Sequence, residues 1–74
     1  MIEMYNFEYS YYDKRHFRKG RTIVRYGKDK AGKLYQELLT KMKNKDASAP
    51  IELPHITKLV AGEIKLVDGD KEFN

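Results

Sequence analysis

Aromatic side chains take every second position from Tyr5 to Tyr11, and mostly polar ones fill the gaps. Tyr5, Phe7, Tyr9 and Tyr11 alternate with Met4, Asn6, Glu8 and Ser10, the period of a strand with one buried face. The pattern predicts a strand over residues 2–12, and aromatic residues suit such a pleated surface. A second alternation runs from Arg21 to Tyr26. Thr22, Val24 and Tyr26 share one face, Arg21, Ile23 and Arg25 the other, and Gly27 ends the run. Between them, residues 13–20 form a polar, basic connection. It reads either as one long hairpin tip, or as a short strand around residues 15–18 followed by a tight turn at Lys19-Gly20.

The period changes after Gly27. Leu34, Tyr35, Leu38, Leu39 and Met42 fall on one stripe of a helix predicted over residues 29–45. Asp29 is the candidate N-cap, and Lys41, Lys43 and Lys45 sit where cations favour the helix dipole. Gly32 weakens the first turn by about 1 kcal/mol relative to alanine. Residues 44–54 read as a loop because Ser48, Pro50 and Pro54 oppose regular helix, with Ile51 and Leu53 expected to pin it to the core. Residues 56–67 fit two periods. Ile56, Leu59, Val60, Ile64 and Val67 match helical spacing, but Gly62 interrupts them and residues 64–67 also suit a strand. The reading adopted is a short helix or turn near residues 55–61 and a strand over residues 63–67. Asp68-Gly69 signals a tight turn, with residues 71–73 as a short returning strand.

These elements predict an α+β fold in a single domain, residues 1–74. A small antiparallel sheet of three to four strands packs on one main α-helix, with a second short helix near 55–61. The expected core is Tyr5, Phe7, Tyr9, Tyr11, Val24, Leu34, Leu38, Leu39, Met42, Ile56, Val60 and Ile64. With 74 residues that core is small, and the absence of cysteine excludes disulfides and thiolate metal sites. The first residues carry no basic region followed by an apolar one, so no signal peptide is expected. No apolar run approaches the roughly 18 residues of a membrane span. A cytoplasmic monomer or small homo-oligomer without a membrane partner or cofactor is the expectation.

Charge changes the picture most. Residues 14–45 hold twelve of the fifteen Lys and Arg residues and only Asp29 and Glu37 as acids, a local net charge of +10. The flanking segments, 1–13 and 46–74, each sum to −3, so the overall +4 conceals strong polarisation. Such a field attracts a polyanion or an acidic protein surface. Lys14, Arg15, Arg18, Lys19, Arg21, Arg25, Lys28, Lys30 and Lys33 are the candidate binding residues, with Tyr12 beside them for stacking. Strand alternation places Arg21 and Arg25 together, away from Val24 and the core.

Few motifs compete with that reading. Residues 19–26 partly resemble the longer signature of the RNA-recognition-motif family, matching at Lys19, Gly20, Val24 and Tyr26. Arg21 and Ile23 stand where that family has its stacking aromatics, so no role is carried over. His16 and His55 are the only histidines, and no second group is set beside either for acid–base work. Asp68, Asp70 and Glu72 lack the twelve-residue frame of a calcium loop. No nucleophile triad, P-loop or dinucleotide loop is present. The leading expectation is a small non-enzymatic protein that binds DNA or RNA through the basic hairpin and the start of the helix. The alternative is an inhibitor or adaptor docking its basic face on an acidic groove of a protein partner, such as a nucleic-acid-processing enzyme. A small ribonuclease centred on His16 is third.

Overall fold

The alternating aromatic segment forms β1, Met4–Asp13, and the chain returns as β2, Arg18–Gly27. The computed structural model describes residues 3–15 and 17–73, so Ile2 and His16 fall outside the described residues. β1 and β2 pair without interruption from Met4–Gly27 to Asp13–Arg18. The hairpin tip is therefore residues 14–17. Lys19-Gly20 is not a turn but lies in β2, with the Tyr11 ring over Gly20 where a Cβ would collide with it.

After β2 the chain turns directly into α1, Lys28–Lys43. The N-cap is Gly27, in extended conformation and without a side-chain bond, so Asp29 is a first-turn acid rather than the cap. The helix stops two residues before the predicted end because Lys45 turns left-handed (φ 53°). Lys45 N–H then donates to Met42 O and Asp46 N–H to Lys41 O, at 3.2 and 2.9 Å, which satisfies the last carbonyls.

Residues 55–61 are not a helix. They belong to β3, His55–Val60, which pairs with β1 from Glu8–His55 to Met4–Leu59. A two-residue turn, Ala61-Gly62, leads into β4, Glu63–Leu66; both turn residues have positive φ, as mirror-image hairpin turns require. The sheet is wholly antiparallel in the order β2-β1-β3-β4. The expected returning strand at residues 71–73 is instead part of a short helix, α2, Gly69–Phe73. Asp68 caps it, its carboxylate accepting from Asp70 N–H at 3.0 Å.

One face of the sheet carries the core. Tyr5, Phe7 and Ile56 are buried against Ala31, Tyr35 and Leu38 of α1. Tyr9, Val24, Leu34 and Leu39 pack partly buried around them. Phe73 reaches in from α2, its ring centroid 5.2 Å from Tyr5, 6.0 Å from Phe7 and 5.4 Å from Tyr35. Ile64 is not a core residue, because β4 turns it to the opposite face. Nor do Ile51 and Leu53 pin the long loop; both are exposed, while Pro50 is buried and bridges to Tyr11.

Two phenols bolt α2 to this core. Tyr5 donates to Glu72 at 2.6 Å and Tyr35 donates to Asp70 at 2.5 Å, while Lys58 Nζ meets Glu72 at 3.1 Å. The Tyr5 bond, then the Lys58 contact, holds the Glu72 carboxyl below its ordinary value of 4.5. Burial, then the Asp70 bond, pushes the Tyr35 phenol up to about 12. A lowered carboxyl pKa gives stability that is present above the ordinary value and lost as pH falls through the lowered one. A raised phenol pKa gives stability present below 10.0 and lost as pH rises toward the folded value. Urea midpoints should therefore fall on acidification below about pH 4.5 and again above about pH 10. Glu72→Gln should blunt the acid limb, and an unchanged acid limb would show that Glu72 does not hold α2.

Candidate nucleic-acid interface

The β1–β2 hairpin outruns the rest of the sheet. β3 pairs with β1 only as far as Glu8, so from Tyr9 outward the ribbon has two strands. Its one lateral support among the described residues is the Pro50 bridge to Tyr11, with Ile51 N–H donating to Ser10 O at 2.8 Å. The projection gives the molecule its long axis, 41 × 22 × 16 Å.

Alternation and the turn place the basic side chains at the ribbon's end. Tyr12 lies opposite Lys19 and Asp13 opposite Arg18. Asp13 accepts from Arg15 N–H at 3.0 Å, which tightens the turn. Lys14, Arg15, Arg18 and Lys19 are all exposed, as is Tyr12. Phe17, not singled out from the sequence, is 82% exposed at the apex and has a positive φ of 51°. Its sequence signal is an aromatic residue inside a basic turn, outside both alternating runs.

Arg21 and Arg25 do share the face away from α1, as strand alternation requires. Both are already engaged there. Arg21 pairs with Glu8, and Arg25 Nε donates to Asn6 at 2.9 Å. They lie along the ribbon's shaft rather than at its tip.

The start of the helix does not join the tip. Lys28, Lys30 and Lys33 stand at the base of β2, ten strand residues from Arg18, or about 30 Å. α1 then packs back over β2 and β1 for sixteen residues, about 24 Å. Its last turn, with Lys41 and Lys43, and Lys45 beyond it thus lie at the tip's end of the molecule. Ala47 and Ser48 of the following loop share a hollow with Tyr11, Tyr12, Asp13, Lys14 and Arg15. The fold therefore adds the helix's C-terminal lysines to the tip cations and leaves its N-terminal lysines apart.

Another hollow, about 420 Å³, lies on the open sheet face beside His55, Glu8, Arg21 and Glu52. Its Arg21 and Glu8 are committed to each other. Among the described residues no group of three potential metal ligands converges, and no helix is long and apolar enough to cross a membrane. The ribonuclease reading rested on His16, which is outside the described residues. The chain matches no protein family, no curated protein and no solved structure.

Proposed function

We propose that this is a non-enzymatic accessory protein that binds nucleic acid with the outer end of the β1–β2 ribbon. One observation carries the reading: Phe17 stands bare at the apex, in a left-handed conformation, within four residues of Lys14, Arg15, Arg18 and Lys19. A bulky residue in that conformation is strained, and an exposed ring contributes no core packing in return. Bases offer such a ring a stacking partner, and phosphates offer the flanking cations theirs. A two-stranded ribbon also has the right width, since the major groove of B-form DNA, about 12 Å across, admits one.

The experiment is fluorescence anisotropy with short single- and double-stranded DNA and RNA over a range of salt. Binding should be tighter than about 100 μM at low salt and weaken steeply as salt rises. If none of the four ligands binds, the reading fails, and an acidic protein groove becomes the ligand to seek for the same cations. Phe17→Gly separates stacking from charge. Glycine relieves a backbone cost of about 1–2 kcal/mol, so the melting temperature should hold or rise. Affinity should nevertheless drop on the order of tenfold as the stacking interaction goes. Equal affinity for wild type and Phe17→Gly would leave the ring without a role.

A further inference from the structure

The loop after α1 meets the free edge of β1 and then parts from it. Tyr11 pairs with Pro50 in antiparallel sense, and Ile51 N–H donates to Ser10 O at 2.8 Å. Toward the ribbon tip no further bridge joins the two segments among the described residues. The gap between them is a hollow of about 340 Å³, with Tyr12, Lys14 and Arg15 on the ribbon side and Ala47 and Ser48 on the loop side.

The loop side is a built wall. The Asp46 carboxylate accepts from Ser48 N–H at 2.8 Å and from Ser48 Oγ at 2.7 Å, and Ala49 N–H donates to Asp46 O at 3.0 Å. Pro50, buried at the next position, ties that turn to the ribbon. A wall held in this way has little left to order when a ligand enters.

The lining suits a nucleobase. Tyr12 is 43% exposed, so its ring is open to stacking. Carbonyls two residues apart in a strand point the same way, so the Tyr12 C=O faces the loop as the Ser10 C=O does. Every unpaired base carries an N–H donor for such an acceptor on its Watson–Crick edge, and in a duplex that edge is already paired. Lys14 and Arg15 line the hollow and Lys19 lies opposite Tyr12, so cations flank it for the adjoining phosphates. The volume is at the small end of ligand sites, room for one planar ring system and not for a stack of base pairs.

We propose that this hollow takes an unpaired base, which makes single-stranded nucleic acid, rather than duplex, the preferred ligand of the ribbon tip. The inference rests on the nucleic-acid reading above and narrows it. A duplex can still meet the tip cations, but it has no free base to place beside Tyr12. Stacking and a single carbonyl acceptor serve any base, so the preference is for strandedness and not for sequence. Lys14 and Arg15 stand in the chain between Tyr12 and Phe17, where the backbone joining two stacked bases would pass.

Anisotropy titrations at one salt concentration test this with ligands of equal phosphate number: a mixed-sequence single strand, an abasic single strand and a duplex. Duplex has the higher charge density, so charge alone would favour it. The wild type should instead bind the mixed strand about tenfold tighter than either of the others. Tyr12→Leu keeps an apolar side chain and removes the ring. It should lower affinity for the mixed strand about five- to tenfold and leave the other two affinities unchanged. Ala47→Leu, at an exposed position, narrows the hollow without altering charge and should act in the same direction. It also carries the test if Tyr12→Leu fails to fold. Duplex or abasic binding as tight as that of the mixed strand overturns the inference and leaves the tip as a nucleic-acid site. So do variants that change all three affinities alike, or none. A wild type that binds none of the ligands overturns the functional reading and this inference together.

Discussion

Phe7→Ala should remove a large share of the fold's stability and lower its urea midpoint steeply. Phe7 is fully buried at the centre of β1, opposite Val24 on one side and Ile56 on the other, and its ring stacks on Phe73. Removing a buried phenylalanine costs about 3–5 kcal/mol in lost transfer energy and residual cavity. A domain of this size has only about 4–11 kcal/mol of stability to lose. The cavity would open where both helices meet the sheet, so no single element can relax to close it. The measurement is a urea titration followed by far-ultraviolet circular dichroism. A midpoint equal to that of the wild type would show that the aromatic face is not the core.

The second large effect concerns binding. Reversing Arg15, Arg18 and Lys19 to glutamate together should abolish measurable affinity for nucleic acid while leaving the fold intact. All three are exposed, and none belongs to the core cluster. Removing one phosphate–cation pair should flatten the slope of log K against log salt by about 0.9 on a duplex, so removing three takes away nearly three units. Each reversal also sets a carboxylate against the backbone charge, which adds repulsion to the missing attraction. The matching reversal of Lys28, Lys30 and Lys33 is the control. Those residues sit at the far end of the ribbon, so their reversal should shift affinity much less. Equal losses for the two triple variants would show that attraction comes from overall charge and not from the ribbon tip.

Some of this is legible residue by residue. The aromatic alternation defines β1 and its inward face, and the Thr22–Val24–Tyr26 alternation defines β2, because one-sided burial imposes a period of two on an antiparallel strand. The apolar stripe defines α1, with Tyr35 and Leu38 at its buried centre. The clustering of cations between residues 14 and 25 is equally plain.

β3 escapes a local reading because its pattern is broken from outside. Lys58 stands on the inner face, beside Ile56 and Val60, and Leu59 stands on the outer one. The lysine is tolerated there because Glu72 pairs with its ammonium, which lies 5.8 Å from the Tyr5 ring centroid. Neither partner is near it in sequence, so no local window could supply the reason. α2 has the same origin. The Asp-Gly-Asp run signals a turn by its composition, yet Asp70 and Glu72 bond to Tyr35 and Tyr5, and Phe73 inserts between the same rings. Gly69 is buried against the Tyr35 ring with no room for a Cβ, which fixes where the helix begins.

The candidate site divides along the same line. Local pattern suffices for β1, β2, the main helix, their inward faces and the concentration of charge, because periodicity and charge belong to short stretches of chain. Which cations stand together is a matter of packing. The fold carries Lys28 away from the ribbon tip, returns Lys41 and Lys43 toward it, ties Arg21 to Glu8, and leaves Phe17 bare at the apex. It also sets Ile23, Ile64 and Leu66, all exposed, on the sheet face away from α1. Those outcomes follow from strand register and from the direction in which α1 packs back across the sheet, and both are set by contacts between residues far apart in the chain.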